Sequence, residues 1–481
     1  MLGLTAKRCI AAGAELLAAL MVCLAAAALT AGCGASGGAS PSPTALPMAS
    51  ASPSPTPSAG STALPAGPAG RQLAWVLAGL NAGKPVSAAV LQEHFGSAFL
   101  AQVPPAQLLA ALTQVAEGAP YRFGQTLGPS TPTGFAARID GTLGSLRVTI
   151  VVDTTPQHRI TGLLFQPYTT VTKPIDWSEA DGALRSLASR SALLTAEIDA
   201  TADTQRPIHE LDADRVLAIG SAFKLYVLGA LGAAIQTGSA AWGEQLAIHE
   251  AWKSLPSGDM RDAPPGKRFP LEYYAQQMIA VSDNTATDHL MRRLGRAAVE
   301  GQLTAIGNSA ARQNRPFLTT SEMFVLKLSA PQALRRAYTF AGSDGRRRLL
   351  RRIDALPVTL GRAATWTTPR DIDTIEWFAS PRDLARAMTA LRDLALQPGL
   401  APIRAILSRN PGIAFYAGSW KYTAFKGGSE PGVLSLTWLL ERADRRVFVL
   451  SIVLNDPQRG IDQAGAVAVA EGAVDLLAKA P

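Results

Sequence analysis

Three short segments of this 481-residue chain contain the residue types that acyl transfer through a serine requires. The first is Ser221-Ala222-Phe223-Lys224, and the apolar run after it predicts a long helix that opens at Ser221. Residues three apart on a helix share one face, so Lys224 would lie close enough to accept the Ser221 hydroxyl proton. The helix N-terminus would also offer N–H groups and a positive dipole to a developing oxyanion. Alone, this spacing is also typical of a surface pair.

The second segment is Ser282-Asp283-Asn284, between helical patterns at 271–281 and 285–294. A serine here can relay a proton toward a leaving group, and the asparagine amide can hold a substrate carbonyl. The same three residues are equally typical of a helix start in which the serine is the N-cap.

The third segment is Phe425-Lys426-Gly427-Gly428-Ser429, which precedes a strand pattern at 433–441. Glycines beside a strand edge let a substrate backbone approach closely. Lys426 would present a fixed positive charge to a substrate carboxylate or to the Ser282 hydroxyl. A glycine-rich turn between two strands is the alternative interpretation.

In this order the three segments resemble the S-x-x-K, S-D-N and K-T-G set of class A β-lactamases and penicillin-binding proteins. The resemblance runs from about residue 175 to the C-terminus. It implies an α/β serine hydrolase domain of the β-lactamase/transpeptidase-like type, with an antiparallel sheet and an all-α region. It implies no metal and no cofactor.

Carried over residue by residue, the resemblance makes Ser221 the acylated nucleophile and Lys224 its general base. Ser282 would shuttle a proton, Lys426 would bind charge, and the backbone amides of Ser221 and Ser429 would form the oxyanion hole. The resemblance places the remaining substrate contacts at Asn284 and Gly428. Lys224 must be neutral during attack, and bringing the pKa of an ammonium from ~10.4 to near 7 costs roughly 4 kcal/mol. Partial burial and the second cation both favour this change.

The chain departs from the family pattern at two points. Lys426-Gly427-Gly428 lacks the hydroxyl of K-T-G, for which Ser429 can compensate. The loop glutamate that activates water for deacylation should lie within 362–379, where the acids are Asp371, Asp373 and Glu376. None of these acids has the family's E-x-x-x-N setting, so we expect weak β-lactam turnover.

Periodicity supplies the elements that must position these residues. Patterns at 193–199 and 207–211 predict a hairpin before the Ser221 helix, and 433–441 with 447–455 predict a second one. Ser380-Pro381-Arg382-Asp383 predicts a helix start, and 464–477 predicts a C-terminal apolar helix. Residues 171–481 would form this hydrolase domain.

Residues 71–170 predict a small α+β domain. Helical patterns lie at 73–80, 86–100 and 106–116, and strand patterns follow at 121–126, 134–140, 146–152 and 160–165. With this domain, the chain resembles two-domain β-lactamase-like proteins of clavulanic-acid gene clusters and related actinobacterial lipoproteins. That resemblance implies a ketosteroid-isomerase-like cone. His94 and His158 are isolated, and we assign them no role.

The N-terminus predicts export. Lys7 and Arg8 precede an apolar run at 16–29 that is shorter than a membrane span. Residues 29–33, Leu-Thr-Ala-Gly-Cys, resemble a bacterial lipobox, which implies a signal peptide over 1–33 and lipidation of Cys33; an ordinary signal peptide is the alternative. Residues 34–70, rich in Ser, Pro, Ala and Gly, predict a disordered spacer. The protein would be anchored to the outer face of the cytoplasmic membrane.

Composition narrows the remaining possibilities. The three cysteines are Cys9, Cys23 and Cys33, so no thiol chemistry is available beyond residue 33. The net charge of +8 is spread along the chain and is a weak argument for a nucleic-acid partner. The arginines at 346–348, 351 and 352 predict a solvated helix face, with anionic lipid contact as the alternative. Three tryptophans can line a cleft, but core packing is the default: Trp366, Trp377 and Trp420. The histidines without ligand spacing are His209, His249 and His289.

The sequence therefore predicts a lipid-anchored extracytoplasmic serine hydrolase that acylates Ser221 with a small-molecule ester or β-lactam. The alternative is a catalytically degenerate penicillin-binding or scaffolding lipoprotein. A slow acyl-enzyme-forming β-lactam binder lies between the two.

Overall fold

The computed structural model describes residues 63–82, 87–142, 144–199, 204–255, 257–354, 368–415 and 418–481. The predicted signal segment with Cys33, most of the predicted spacer and Trp366 lie outside these residues. Among the residues that are described, no helix is long and apolar enough to cross a membrane.

The first part of the described chain consists of four helices followed by four strands. The helices are α1 Pro68–Ala82, α2 Ala88–His94, α3 Ser97–Gln102 and α4 Pro105–Ala116. The strands are β1 Arg122–Thr126, β2 Gly134–Gly141, β3 Gly144–Val152 and β4 Ile160–Pro167. They pair in sequence order as an antiparallel meander, which is the predicted helix-then-strand layout.

Two boundaries in this part differ from the predicted ones. Helix α1 begins at Pro68, inside the predicted 34–70 spacer, because proline is well suited to the first turn of a helix. The pattern at 86–100 is two helices rather than one, since Phe95 leaves the helical conformation with φ −110° and ψ 142°. The apolar faces of α1 to α4 and of the sheet enclose one core.

The second part contains eleven helices among the described residues. They are α5 Trp177–Leu187, α6 Lys224–Gln236, α7 Leu271–Ala280, α8 Asn284–Leu294, α9 Arg296–Ile306, α10 Thr320–Phe324, α11 Gln332–Phe340, α12 Ser343–Asp354, α13 Pro381–Ala395, α14 Pro402–Leu407 and α15 Gln463–Ala478. Short 3₁₀ turns occupy Gly220–Phe223, Glu250–Trp252 and Met260–Asp262, and a π-helical segment occupies Val325–Ser329.

Nine strands accompany these helices. They are β5 Arg190–Asp199, β6 Thr204–Leu211, β7 Leu217–Ala218, β8 Gln245–Ala247, β9 Arg268–Pro270, β10 Phe378–Ala379, β11 Trp420–Glu430, β12 Val433–Arg442 and β13 Val447–Asn455. Five of them form an antiparallel sheet in the order β11-β12-β13-β5-β6. Both predicted hairpins are confirmed, and β13 joins them by pairing with β5.

The five-stranded sheet is covered on both faces. Helices α6 and α13 belong to the core on one face, whereas α5 and α15 pack on the other. Strands β12 and β13 are therefore buried almost throughout. Their nearly continuous apolar sequences fit this position, because neither face of the strand meets solvent. Trp377 and Trp420 are both buried in these cores, which confirms core packing for them.

The predicted helix start near residue 380 is confirmed. The Ser380 hydroxyl accepts a hydrogen bond from the Asp383 N–H at 3.1 Å, and the Asp383 carboxylate accepts one from the Ser380 N–H at 3.0 Å. This capping box fixes the entry to α13. The preceding strand, β10, pairs antiparallel with β7, which leads directly into the turn that contains Ser221.

Candidate active site

Ser221 lies in a 3₁₀ turn and not in the α-helix that the sequence predicts. The turn spans Gly220–Phe223, and α6 begins at Lys224. In a 3₁₀ turn residues i and i+3 eclipse one another, so the serine and the lysine still share one side. Lys224 Nζ lies 3.0 Å from Ser221 Oγ. The predicted helix start was wrong by three residues, whereas the predicted proximity is what the structure has.

Lys224 is surrounded by hydrogen-bond acceptors. Its Nζ lies 2.7 Å from Ser282 Oγ and 2.8 Å from Asn284 Oδ1, and it also contacts the Ser282 carbonyl oxygen. The side chain is fully buried because α6 is apolar on all sides. These contacts fix the amine beside the Ser221 hydroxyl.

Ser282 connects two lysines. Lys426 Nζ lies 2.9 Å from Ser282 Oγ, which Lys224 Nζ also contacts. Lys426 is 3% exposed. A hydroxyl between two amines can receive a proton from one and pass a proton onward, provided that one amine is neutral. Two ammonium groups on one buried oxygen favour that neutral form.

The Ser282 backbone is held in an unusual conformation. Its φ is +54°, which is the left-handed region that a serine rarely adopts. The Ser282 carbonyl accepts a hydrogen bond from Ser257 Oγ at 2.5 Å, and the Ser257 carbonyl accepts one from the Asn284 N–H at 3.2 Å. Ser257 therefore positions the segment, although nothing in its sequence context indicates this.

The N-cap of α8 is Asp283 and not Ser282, so the alternative interpretation of the serine as a cap is wrong. The Asp283 carboxylate accepts hydrogen bonds from Ala286 N at 2.7 Å and from Met260 N at 2.9 Å. Burial raises the pKa of Asp283 to about 6, and these two N–H donors and the Lys224 charge oppose the rise. The cap frees the Ser282 side chain for the site.

Asn284 is held at both ends of its side-chain amide. Oδ1 accepts from Lys224 Nζ, and Nδ2 donates to the Leu255 carbonyl at 3.3 Å. In this structure the amide orients the lysine. A contact between Asn284 and substrate stays a prediction.

Lys426 to Ser429 lie within β11, so the alternative of a glycine-rich turn is wrong. Alternation along the strand directs Lys426 and Gly428 to the face toward Ser221, and puts Gly427 and Ser429 on the opposite face. Ser429 thus places a hydroxyl two residues after Gly427, on the same face of the strand. Whether it replaces the missing K-T-G hydroxyl stays a prediction.

Gly428 lies directly against the nucleophile turn. A Cβ atom there would lie 2.3 Å from the Ile219 carbonyl oxygen and 2.4 Å from the Ser221 nitrogen. Gly220, with φ +50°, leaves only 3.0 Å between its own Cβ position and the Ser429 nitrogen. The two backbone amides proposed for the oxyanion hole thus belong to chain segments in direct contact. Their role as donors stays a prediction.

The acids expected near the site are all engaged by basic side chains. Asp371 and Asp373 form ion pairs at the surface, and Glu376 is buried in a third pair. Their partners are Arg335 for Asp371, Arg190 for Asp373 and Lys327 for Glu376. The segment 355–367, which lies outside the described residues, contains no acid. The sequence and the structure thus supply no acid in the setting that the family uses to activate water.

The remaining histidines and the arginine run form contacts within the protein or face solvent. His209 Nε2 lies 2.8 Å from Asp181, and His289 Nε2 accepts from the His249 N–H at 2.9 Å. The described ranges contain no cluster of three or more His, Cys, Asp or Glu that could hold a metal ion. The arginine run lies in α12, where Arg348, Arg351 and Arg352 are exposed, as predicted. The prediction is wrong for the other two, which are half-buried: Arg346 donates to the Tyr338 carbonyl, and Arg347 pairs with Glu300.

Comparison with known proteins identifies two family models that match this chain. A family model described as the beta-lactamase enzyme family matches residues 195–477, and one described as ORF 12 gene product N-terminal matches 64–157. A search of curated proteins found no match.

Several solved structures are similar to this chain. A β-lactamase from Sphaerobacter thermophilus has 18% identity and a TM-score of 0.45, with 64% of this chain and 99% of that one covered. PBP-A has 17% identity and a TM-score of 0.40, with 64% and 100% covered. The class A β-lactamase PenP from Rhodopseudomonas palustris has 14% identity and a TM-score of 0.43, with 62% and 97% covered.

The family match spans more than half of the chain and includes all three segments, from Ser221 to Ser429. The predicted β-lactamase/transpeptidase-like fold, with an antiparallel sheet and a helical region, is thereby confirmed. The chain belongs to the beta-lactamase enzyme family.

Proposed function

We propose that the protein is a serine hydrolase that forms an acyl-enzyme at Ser221 with an ester or a β-lactam. The observation that carries this proposal is the contact of Lys224 Nζ with the hydroxyls of both Ser221 and Ser282. Lys224 removes the Ser221 proton as Oγ attacks the carbonyl carbon. The proton then reaches the leaving nitrogen or oxygen through Ser282, and Lys426 holds the Ser282 hydroxyl in place.

The amides of Ser221 and Ser429 bind the oxyanion in this proposal. Gly428 supports it, because only a residue without a side chain lets β11 approach the nucleophile turn so closely. Lys426 attracts a substrate carboxylate, and Asn284 contacts the substrate once Lys224 is neutral.

Deacylation is the slow step for a β-lactam. The acids at 371, 373 and 376 are each held by a basic partner, so none is free to activate water beside the ester. A small acyl group such as acetyl leaves more room than a penicilloyl group for water to reach the Ser221 ester. The protein would therefore turn over activated esters and would retain penicillin as a long-lived adduct.

The location and the first domain complete the proposal. Cys33 carries a lipid after cleavage of the signal peptide, and the spacer holds both domains off the outer face of the cytoplasmic membrane. The match of residues 64–157 to the ORF 12 N-terminal model supports the resemblance to two-domain β-lactamase-like proteins. The helices and meander of this part are proposed to form a ketosteroid-isomerase-like cone.

Intact-protein mass spectrometry tests the activity. The purified protein is incubated with penicillin G and with p-nitrophenyl acetate, and its mass is followed over time. We expect a persistent penicillin adduct, a transient acetyl adduct with release of nitrophenol, and neither with Ser221→Ala. Ser343→Ala, an exposed serine of α12, is the matched control. No adduct from either reagent on folded protein would leave the degenerate binding protein as the better description.

A further inference from the structure

A buried charged cluster lies behind the nucleophile turn and has no role in the proposed acylation steps. It consists of Lys327, Glu376 and Glu430. The side chain of Lys327 is fully buried, and those of Glu376 and Glu430 are 1% and 5% exposed. Lys327 Nζ forms an ion pair with Glu430 and lies 3.7 Å from Glu376 Oε1. One ammonium thus faces two carboxyl groups.

The lysine has a sequence signal that the initial interpretation did not use. It interrupts an apolar run, Phe324-Val325-Leu326-Lys327-Leu328, and a charge there must be buried with a partner. The run adopts the π-helical segment Val325–Ser329, a conformation that occurs frequently at functional sites. Arg370 donates a hydrogen bond to the Lys327 carbonyl and secures this segment.

Glu376 contacts the nucleophile turn from one side. The pairing of β10 with β7 continues through a hydrogen bond from Ile219 N to the Trp377 carbonyl at 2.9 Å. The next residue pair in this antiparallel register is Glu376 and Gly220. Burial raises the pKa of Glu376, and the N–H group of Gly220 opposes the rise by a hydrogen bond to the carboxyl group.

Glu430 lies at the end of β11, the strand that contacts the same turn. It lies on β11 two residues beyond Gly428, and alternation directs both to the same face of the strand. The Cα of Gly428 lies against the Ser221 nitrogen, so Glu430 is two residues from the strand position that contacts the nucleophile turn.

The two carboxyl groups need a proton between them. Glu376 Oε1 and Glu430 Oε2 are both buried and have no hydrogen-bond donor among the described residues. Both carboxyl groups lie against the same nitrogen, Lys327 Nζ, so the two groups are close to one another. Two ionised carboxylates are acceptors only and would repel, whereas one shared proton supplies the missing donor and balances the single lysine charge.

We propose that Glu376 and Glu430 share one proton and that this acid pair, held by Lys327, is a positioning unit that fixes the Ser221 turn against β11. The inference rests on the proposed acylation at Ser221. The shared proton draws the Glu376 loop and the end of β11 together across the turn, which keeps the Ser221 and Ser429 amides aligned. Loss of the proton leaves two negative charges beside one positive charge, and the two segments separate.

Burial raises the pKa of Glu430 to about 8, with the charge of Glu376 adding to this and Lys327 opposing it. Burial also raises the pKa of Glu376. The pair therefore holds its proton at neutral pH and loses it under alkaline conditions. Besides Lys327, the charged side chains on the segments that carry the pair are Arg370, Asp371 and Asp373 before Glu376, and Lys421 and Lys426 on β11; Arg335 pairs with Asp371.

Infrared difference spectroscopy tests the shared proton without any need for activity. We expect the spectrum of the wild-type protein minus that of Glu430→Gln to contain the C=O band of a protonated carboxyl group at pH 7. The band should disappear at alkaline pH, and subtraction of Glu376→Gln should give the same band. Absence of the band in both differences would overturn the proposal whether or not the protein acylates.

The pH dependence of penicillin acylation tests the positioning. Glu430→Ala should slow acylation about tenfold or more, because misplacement of a reacting group by about 1 Å can lower the rate about 100-fold. In the wild type the rate should fall at alkaline pH as the pair loses its proton. In Glu430→Gln, where the amide supplies a hydrogen that is not lost, that fall should move to higher pH.

A purely structural role would lower the rate without moving the pH profile. Glu441→Gln is the matched control, since Glu441 lies on the adjacent strand β12 in an ion pair with Arg404 away from the turn. An unchanged alkaline limb in Glu430→Gln would overturn the proposal. If the wild type itself does not acylate, the proposed function fails and the infrared result alone decides on the acid pair.

Discussion

Ser282 Oγ and Lys426 Nζ lie 2.9 Å apart although 144 residues separate them in the chain. The lysine comes from β11, an edge strand of the sheet, and the serine precedes α8 in the helical region. Their contact joins the two halves of the site. It also means that chemistry at Ser221 depends on how well these halves are held together.

The Ser282 hydroxyl and the Ser282 backbone can be tested separately. Ser282→Ala and Ser282→Gly both remove the proton relay, so each should lower penicillin acylation by about 100-fold or more. Ser282 has φ +54°, and glycine adopts this conformation without the strain of a Cβ. Ser282→Gly should therefore be more stable to urea than Ser282→Ala, by about 0.5–1 kcal/mol after the greater chain entropy of glycine. Equal stability would show that the backbone at this position is not strained.

Gly428→Ala tests the approach of β11 to the nucleophile. The added methyl would meet backbone atoms of Ile219 and Ser221 at 2.3 and 2.4 Å, and backbone cannot move aside as a flexible side chain can. We expect a loss of about 1–3 kcal/mol in unfolding free energy and a fall in acylation rate of about 100-fold. Gly182→Ala in α5, where a Cβ has nothing within 4 Å, is the control and should be at least as stable as the wild type. Wild-type acylation by Gly428→Ala would contradict the geometry.

The sequence predicted those parts of the site that depend on local spacing. Ser221 and Lys224 are three apart, so any helical turn brings them together, whether 3₁₀ or α. The hairpins at β5–β6 and β12–β13 were predictable because apolar runs and turn residues mark them. The pairing of β13 with β5, which joins the two hairpins, is a long-range contact that periodicity alone does not indicate.

Other features depended on tertiary packing and had no local signal. Ser257 holds the Ser282 carbonyl from a loop with no distinguishing pattern. The left-handed conformation of Ser282 moves the helix cap to Asp283, whereas propensity alone favours a serine cap equally well. Lys327 did have a signal, an isolated charge in an apolar run, but its two partners are 49 and 103 residues away in sequence.

Cys33→Ser tests the predicted anchor. The variant keeps the signal peptide but has no thiol for a diacylglyceryl group, so we expect it in the soluble exported fraction or unprocessed at the membrane. The wild type should partition into detergent and carry an N-terminal lipid by mass spectrometry. Cys23→Ser is the control, since this residue would be removed with the signal. A wild-type protein without an N-terminal lipid by mass spectrometry would contradict lipid anchoring at Cys33.

Asp288 links the Ser282-Asp283-Asn284 region to the helix behind it. Its buried carboxylate accepts hydrogen bonds from Thr320 N at 2.7 Å and from Ser321 N at 2.9 Å, at the start of α10. Burial raises the pKa of Asp288 from 3.8 to about 7, with these N–H donors opposing the rise and the charge of Glu322 adding to it. Between these two pH values the folded protein binds a proton that the unfolded chain does not.

The free energy of unfolding should consequently fall as the pH rises from about 4 to about 7. The stabilisation by protonated Asp288 is complete below the pKa of the unfolded chain and is lost as the pH rises through the pKa of the folded protein. The pKa difference corresponds to roughly 4 kcal/mol. Asp288→Asn should be less stable than the wild type at pH 4, because its amide NH₂ group would face one of the two N–H donors. Its side chain does not titrate, so its unfolding free energy should not fall with pH as that of the wild type does. The difference between the two proteins should therefore shift in favour of the variant by up to roughly 4 kcal/mol between pH 4 and pH 7. Urea denaturation at successive pH values measures this difference, with Asp344→Asn on the exposed face of α12 as the control. Parallel curves for Asp288→Asn and the wild type would show that Asp288 is ionised throughout, and the fall in stability would then have to come from another buried acid such as Asp283, whose pKa burial raises to about 6.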